Sequence, residues 1–390
     1  MNRFGTIGLV LGAAALVSVA GAASAEQGVS KNEIVIGSHQ PLSGPVAVWG
    51  VPVTNGMRMR VDEVNAAGGV NGRKIKLVVE DNQYSPAKAA QVGNKLLKRD
   101  KVFALVGALG TPPNMAVMPS AFKRDVFNVF PFSGGRQMYE PFNRLKFSFA
   151  APYYDQMRAA VKYFAEERGK KAFCTMYQDT DFGSEVHDGV VDELKALNMK
   201  EVASTTHKAS TKDFSAPLTK LKDAGCDIIM MGTIVGDTII PAGTAKKMGW
   251  NVDMVVSTAG FTSAVTAIGK GAVEGLYGTG QFMMPYPDQA SDAVKDWMKR
   301  YQDKFGKPPT NEAAFGYSAM DMFVYALDKA GRNLTVDSMV SALEGIKGWT
   351  DRFGGPPQTF GPDKHLGTNK TSLYQVKSGR WEKQTGFLTY

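Results

Sequence analysis

Two alternating patterns run through most of the chain. Short runs dense in Val, Ile, Phe and Met read as buried strands, and between them lie longer stretches whose apolar residues return at helical spacing. The pattern predicts strands at 34–37, 74–80, 103–107 and 127–130, with helices at 51–67, 86–98 and 115–122 between them. A second series follows, with helices at 155–168, 183–197, 213–224 and 238–248 and strands at 171–177, 200–206, 227–232 and 254–257. Two long helices, 290–305 and 313–330, and a last strand, 373–376, complete the chain. Such alternation predicts parallel sheets covered by helices, and the break near 150–153 divides it into two similar Rossmann-like α/β lobes. Ligands of such folds bind outside the carboxyl ends of the strands, so the loops that follow each strand carry the functional expectation.

The first 25 residues interrupt this picture. A single charge at Arg3, an apolar run from about Thr6 to Ala20 and the small residues Ala23-Ser24-Ala25 form the pattern of a cleaved secretory signal peptide. The apolar core is shorter than the roughly 20 residues a membrane-spanning helix needs, and no cysteine follows the cleavage site to carry a lipid. The mature chain is expected to begin near Glu26, outside the cytoplasm, and to exceed the usual size of one hydrophobic core. The formal charge of +8 drops by one with Arg3, and the remaining Lys and Arg are spread along the chain. That is a solvated surface rather than a basic patch, which argues against nucleic acid as a partner. Cys174 and Cys226 both lie in apolar stretches, FCTMY and GCDIIM, and are expected to be two buried thiols on neighbouring strands.

Catalytic chemistry has no foothold in the sequence. His39, His187, His207 and His365 lack ligand spacing, and no CxxC, HExxH, GxSxG or GxxxxGK motif occurs. The glycines of Gly275-Leu-Tyr-Gly278-Thr-Gly280 approach a dinucleotide fingerprint, but with no clear strand before them they are read as a connection. No catalytic residue, metal or cofactor is expected.

One stretch carries a family pattern. Gly44, Pro45, Ala47 and Gly50, then a helix, then Asn65-Ala66, Gly68-Gly69-Val70-Asn71-Gly72-Arg73-Lys74-Ile75 and a strand closing on Asp81 resemble the leucine/isoleucine/valine-binding proteins of bacterial ABC importers. The likeness continues in weaker form to about Gly379. It implies a type I periplasmic binding fold with three chain crossings forming a hinge. One lobe would comprise residues 26–150 and 282–367, and the other residues 151–281 and 368–390. It also implies a monomer that closes on a small-molecule ligand and delivers it to ABC permease subunits in the membrane. A ligand sensor docking on a receptor, or a secreted enzyme on the same scaffold, are the readings from other classes. A disulfide that some relatives carry beside the cleft has no counterpart here, near Tyr84 and Gly110.

The candidate ligand-binding residues follow from the loops. Trp49 sits on the Gly/Pro loop before the first helix, where its ring suits an apolar ligand group, although a core role competes. Gly110 and Thr111, after the strand 103–107, and Phe132, Ser133 and Gly134, after 127–130, offer hydroxyl and N–H groups to a carboxylate; helix capping is the other role open to Thr111 and Ser133. Tyr153, with Tyr154 and Phe261, adds aromatic surface. From the resemblance, Phe182 matches a ring over the ligand, and Ile234 falls where leucine-binding members have a tyrosine. Those relatives pair the ligand's ammonium with a Glu in the loop after the strand 254–257, where this chain has Thr258 and Ala259. Asp237 is the substitute acid, or else an N-cap for the helix at 238. Two cargoes follow: a branched-chain amino acid, or an apolar or aromatic carboxylate without an ammonium.

Overall fold

The computed structural model describes Met1 and residues 26–282 and 284–390; the expected leader, beyond Met1, lies outside the described residues. The first sheet is built from β1 (Glu33–Gln40), β2 (Lys74–Asp81), β3 (Ala104–Val106), β4 (Phe127–Val129) and β5 (Lys146–Phe147), all parallel in the order β2-β1-β3-β4-β5. Its helices are α1 (Ala47–Ala66), α2 (Pro86–Lys98) and α3 (Thr111–Phe122). Then come α4 (Tyr153–Glu166), β6 (Phe173–Gln178), α5 (Asp181–Ala196), β7 (Ala203–His207), α6 (Ser215–Asp223), β8 (Ile228–Gly232), α7 (Gly236–Lys247), β9 (Asp253–Val256), α8 (Ser263–Gly269) and β10 (Tyr277–Gly280). The chain ends with α9 (Asp292–Phe305), α10 (Asn311–Ala330), α11 (Val336–Glu344), β11 (Ser372–Lys377) and β12 (Arg380–Lys383). The second sheet runs β12-β11-β10-β9-β8-β6-β7, parallel from β7 to β10 and antiparallel at β11 and β12. The α/β architecture with two mostly parallel sheets is the expected type I periplasmic binding fold. Strand order reverses beside β1 in the first sheet and beside β6 in the second, which opens a crevice at the carboxyl ends of each.

Local chemistry explains the boundaries. Ser85 caps α2 by accepting from the Lys88 N–H, with Pro86 at the first helical position, where no donor is lost. Helix α1 starts at Ala47 rather than at the expected 51, and α3 at Thr111 rather than 115. Pro112 and Pro113 are carried in the first turn of α3, where N–H groups have no intrahelical acceptor and nothing is lost, and Pro52 lies one turn further into α1. Trp49 is therefore on the first turn of α1 and not on a loop. The stretch Gly275–Gly280 read as a connection is largely β10, whose neighbours β9 and β11 cover both its edges.

Cys174 and Cys226 form a disulfide, with Cα atoms 5.9 Å apart, which corrects the expectation of two thiols. Cys174 lies in β6, but Cys226 sits in the turn before β8, where the backbone is free of the ladder geometry that keeps paired strand residues unbridged.

Helix α10 packs on α1, although the two are far apart in the chain. Gly56 and Gly316 make this possible, because a Cβ would stand 2.0 Å from the Ala313 carbonyl oxygen at the first and 2.1 Å from that of Val53 at the second. Three segments run side by side between the sheets. Ser148 donates to the His365 carbonyl at 2.9 Å, and Gly367 donates back to the Ser148 carbonyl at 2.8 Å. Gln281 fastens the middle segment, donating to the Phe149 carbonyl at 2.7 Å and accepting from the Ala151 N–H at 2.9 Å. Beside them Phe315 packs against Phe132, Phe149 and Phe282, with ring centroids 5.2, 4.8 and 4.8 Å away.

Candidate functional site

A cavity enclosing roughly 490 Å³, its mouth included, lies between the two sheets. Segments that follow the carboxyl ends of strands in both sheets build most of it, with the first turns of α1 and α4 and a face of α10. From the first sheet come Trp49, Tyr84, Gly110 and the run Phe132-Ser133-Gly134. The crossing segment and α4 contribute Ala151, Tyr153 and Gln156, and the second sheet contributes Ile234, Thr258 and Ala259. Of the residues expected from sequence, Trp49, Gly110, Phe132, Ser133, Gly134, Tyr153, Ile234 and Ala259 are thus brought together.

Three are not on the wall. The Thr111 hydroxyl is buried against that of Ser133 at 2.7 Å, and the Ser133 oxygen also accepts from the Gly135 N–H at 3.1 Å. Neither hydroxyl caps α3, whose cap position is Gly110. Phe182 stands behind Tyr153, ring centroids 4.8 Å apart, and is not among the residues that line the cavity. Asp237 is buried, and its carboxylate accepts from the Ile234 N–H at 3.0 Å, the Gln178 amide at 2.7 Å and the His207 ring at 3.1 Å. It is neither a wall residue nor a side-chain cap, because its backbone donor precedes the helix. Among the aromatic candidates, Tyr154 faces outward to Asp192, and Phe261 is core beside Tyr374 and Trp381.

Polarity is unevenly distributed on the wall. At the first-sheet end, the Ser133 N–H and the Tyr84 hydroxyl have no hydrogen-bond partner among the described residues. The N-terminus of α3 adds the positive end of its dipole there. Burial, with Tyr153 and Asp237 nearby, pushes the Tyr84 hydroxyl far above its ordinary range, so it stays a neutral donor. Burial likewise pushes Tyr153 up to about 12, against the opposing Gly134 N–H. At the second-sheet end the polar atoms are committed. The Gln156 oxygen accepts from the Thr258 N–H at 2.8 Å, the Thr258 hydroxyl at 2.6 Å and the Thr279 hydroxyl at 2.7 Å. Trp49 donates across the cavity to the Ala259 carbonyl at 3.1 Å. Among the described residues, no Asp, Glu, Lys, Arg or His lines the cavity.

Sequence reasoning passed over Tyr84, Gln156 and Phe315 as wall residues. Tyr84 follows β2 as directly as Gly110 follows β3, so the strand-end rule reaches it; Gln156 and Phe315 lie on helix faces that only the packing identifies.

A family profile described as "Periplasmic binding protein" matches residues 33–380. The chain is 24% identical over 302 residues to Leu/Ile/Val-binding protein homolog 1 of Brucella abortus, covering 77% of this chain and 80% of that one. It is 24% identical over 333 residues to homolog 8 of the same organism, covering 80% of each. Among solved structures, a branched chain amino acid ABC transporter protein from Thermus thermophilus with bound valine superposes with a TM-score of 0.83 at 19% identity, over 93% of this chain and 98% of that one. A fatty acid ABC transporter substrate-binding protein from Thermomonospora curvata gives 0.83 at 22% identity, over 94% and 95%.

Proposed function

Because the chain belongs to the periplasmic binding protein family, we propose that it captures a small solute outside the cytoplasm for a membrane ABC importer, itself performing no catalysis. Two lobes, 26–150 with 282–367 and 151–281 with 368–390, close on the ligand about the three crossing segments. The pairing of β11 with β10, and the packing of α10 on α1, support this division. The cleaved leader at 1–25 directs the chain to the periplasm, where it works as a monomer. Among the described residues no helix is long and apolar enough to cross a membrane.

The cargo we infer is an apolar or aromatic carboxylate that lacks an ammonium. The observation that carries this is the distribution of polar groups on the wall: free donors at one end, ring and methyl surface elsewhere, and no acid on the wall. An ammonium enclosed there would lose its water without gaining a counter-charge, at a cost of several kcal/mol. Asp237 does not supply one, since its two oxygens already accept three donors. Of the solved structures above, one holds valine and the other is named for fatty acids, so the scaffold leaves the cargo to the wall. A thermal-shift screen of leucine, isoleucine, valine, benzoate, cinnamate and short amides tests the reading. Stabilisation by the acids supports it, and a large shift with leucine but none with the acids overturns it.

A further inference from the structure

The loop that presents Ser133 and Gly134 to the cavity continues directly into an ion-pair cluster that ties the two halves of the molecule together. Arg136 donates through Nε to Glu185 Oε2 at 2.8 Å, through its backbone N–H to the same oxygen at 3.3 Å, and through Nη2 to Asp188 Oδ2 at 3.0 Å. Gln137 donates to the other Glu185 oxygen at 3.1 Å. The guanidinium also lies 4.0 Å from the centroid of the Tyr154 ring. Glu185 and Asp188 are on α5 and Tyr154 on α4, on the second-sheet side, whereas residues 133–137 belong to the first-sheet side.

The Glu185 side chain is only 6% exposed, so both its oxygens are desolvated and both are satisfied from across the gap. Separation breaks these charge-assisted bonds, and removing the arginine alone leaves the buried carboxylate without its counter-charge. Gly135 lets Thr111 and Gln137 approach, since a Cβ there would meet Gln137 Oε1 at 2.6 Å and Thr111 Cγ2 at 2.9 Å.

We propose that Arg136 is a positioning residue, which clamps the closed arrangement by gripping Glu185 and Asp188 and thereby holds the Ser133–Gly134 loop against the ligand. The inference rests on the two-lobe reading above, and the ligand arm of its test also takes 4-methylpentanoate as the cargo. A chain bearing Gln91→Cys on α2 and Lys195→Cys on α5 offers two exposed thiols for spin labels, the Cys174–Cys226 bridge leaving no other free thiol among the described residues. Label-to-label distances are measured by electron resonance in ligand-free protein and with saturating 4-methylpentanoate, for the parent and for Arg136→Ala and Arg136→Lys.

The expected result is a loss of the short-distance population in Arg136→Ala, its ratio to the long one falling roughly ten- to a hundredfold. Arg136→Lys, which keeps the charge but not the fork, falls between. Glu185→Gln makes the same comparison should Arg136→Ala fail to fold by circular dichroism. Distances unchanged from the parent in both conditions overturn the clamp. If the parent itself shows two distances, the lobes still hinge and only the clamp is lost; a single unchanging distance in every protein, with 4-methylpentanoate shown by titration calorimetry to be bound, also contradicts lobe closure.

Discussion

Replacing Asp237 separates a structural acid from a ligand-binding one. Its carboxylate accepts from the Ile234 N–H, the Gln178 amide and the His207 ring at 2.7 to 3.1 Å, in a site where the side chain is 5% exposed. Asp237→Ala leaves three buried donors without an acceptor, and at about 1–3 kcal/mol for each orphaned group the loss comes to roughly 3–9 kcal/mol. The smaller end applies if water enters the vacated space. Asp237→Asn keeps one oxygen and should recover part of that loss. Urea unfolding followed by tryptophan fluorescence gives the free energies, and calorimetric titration of the same proteins gives ligand affinity. Stability should fall while the affinity of the folded protein for its acid cargo stays unchanged. An Asp237→Ala protein that unfolds at the parent's urea concentration, or one of parental stability that has lost binding of an amino acid, would refute the assignment.

Three further outcomes are expected. His39 is fully buried, accepts from the Asn82 amide at 2.9 Å through Nδ1 and is held neutral, its pKa pushed down by burial to about 4 from 6.5. The unfolded chain therefore takes up a proton first as pH falls from about 6.5 toward about 4, and roughly 3 kcal/mol of stability is lost in that window; urea midpoints of the parent at pH 7 and pH 4.5 should show this pH-dependent loss, and His39→Gln should lack it. Replacing Cys174 and Cys226 by Ser opens a loop spanning 52 residues and should lower the unfolding free energy by about 4 kcal/mol, read in the same assay. Ala259→Glu places a carboxylate on the wall, and should raise affinity for leucine while lowering it for the corresponding simple acid, as measured by titration calorimetry.

Much of the fold could be read from periodicity, because buried parallel strands and amphipathic helices differ plainly in pattern. Prolines mark the main boundary differences: Pro112 and Pro113 punctuate a sequence but are harmless in the first turn of a helix, and Pro52 is carried inside α1. Glycines caused another, since Gly278 and Gly280 look like a turn until Tyr374 and Trp381 are seen packed over them. The disulfide was illegible for a related reason, as only the placement of Cys226 one turn outside β8 brings it to Cys174. Within the site, the residues on strand-end loops were accessible to reasoning, because topology places such loops at the crevice. Gln156 was not, because its three acceptances come from Thr258 and Thr279, more than a hundred residues away along the chain. Nor was the inward orientation of Asp237, which depends on His207 at the end of β7.

The most direct test of the central claim, that the cavity holds an apolar carboxylate and provides nothing for an ammonium, compares leucine with 4-methylpentanoate. The two differ only in the ammonium, so titration calorimetry of both against ligand-stripped protein isolates that one group. The wall described above predicts tighter binding of 4-methylpentanoate, by roughly a hundredfold or more given a desolvation cost of several kcal/mol. Leucine binding as tightly as 4-methylpentanoate, or more tightly, would contradict it.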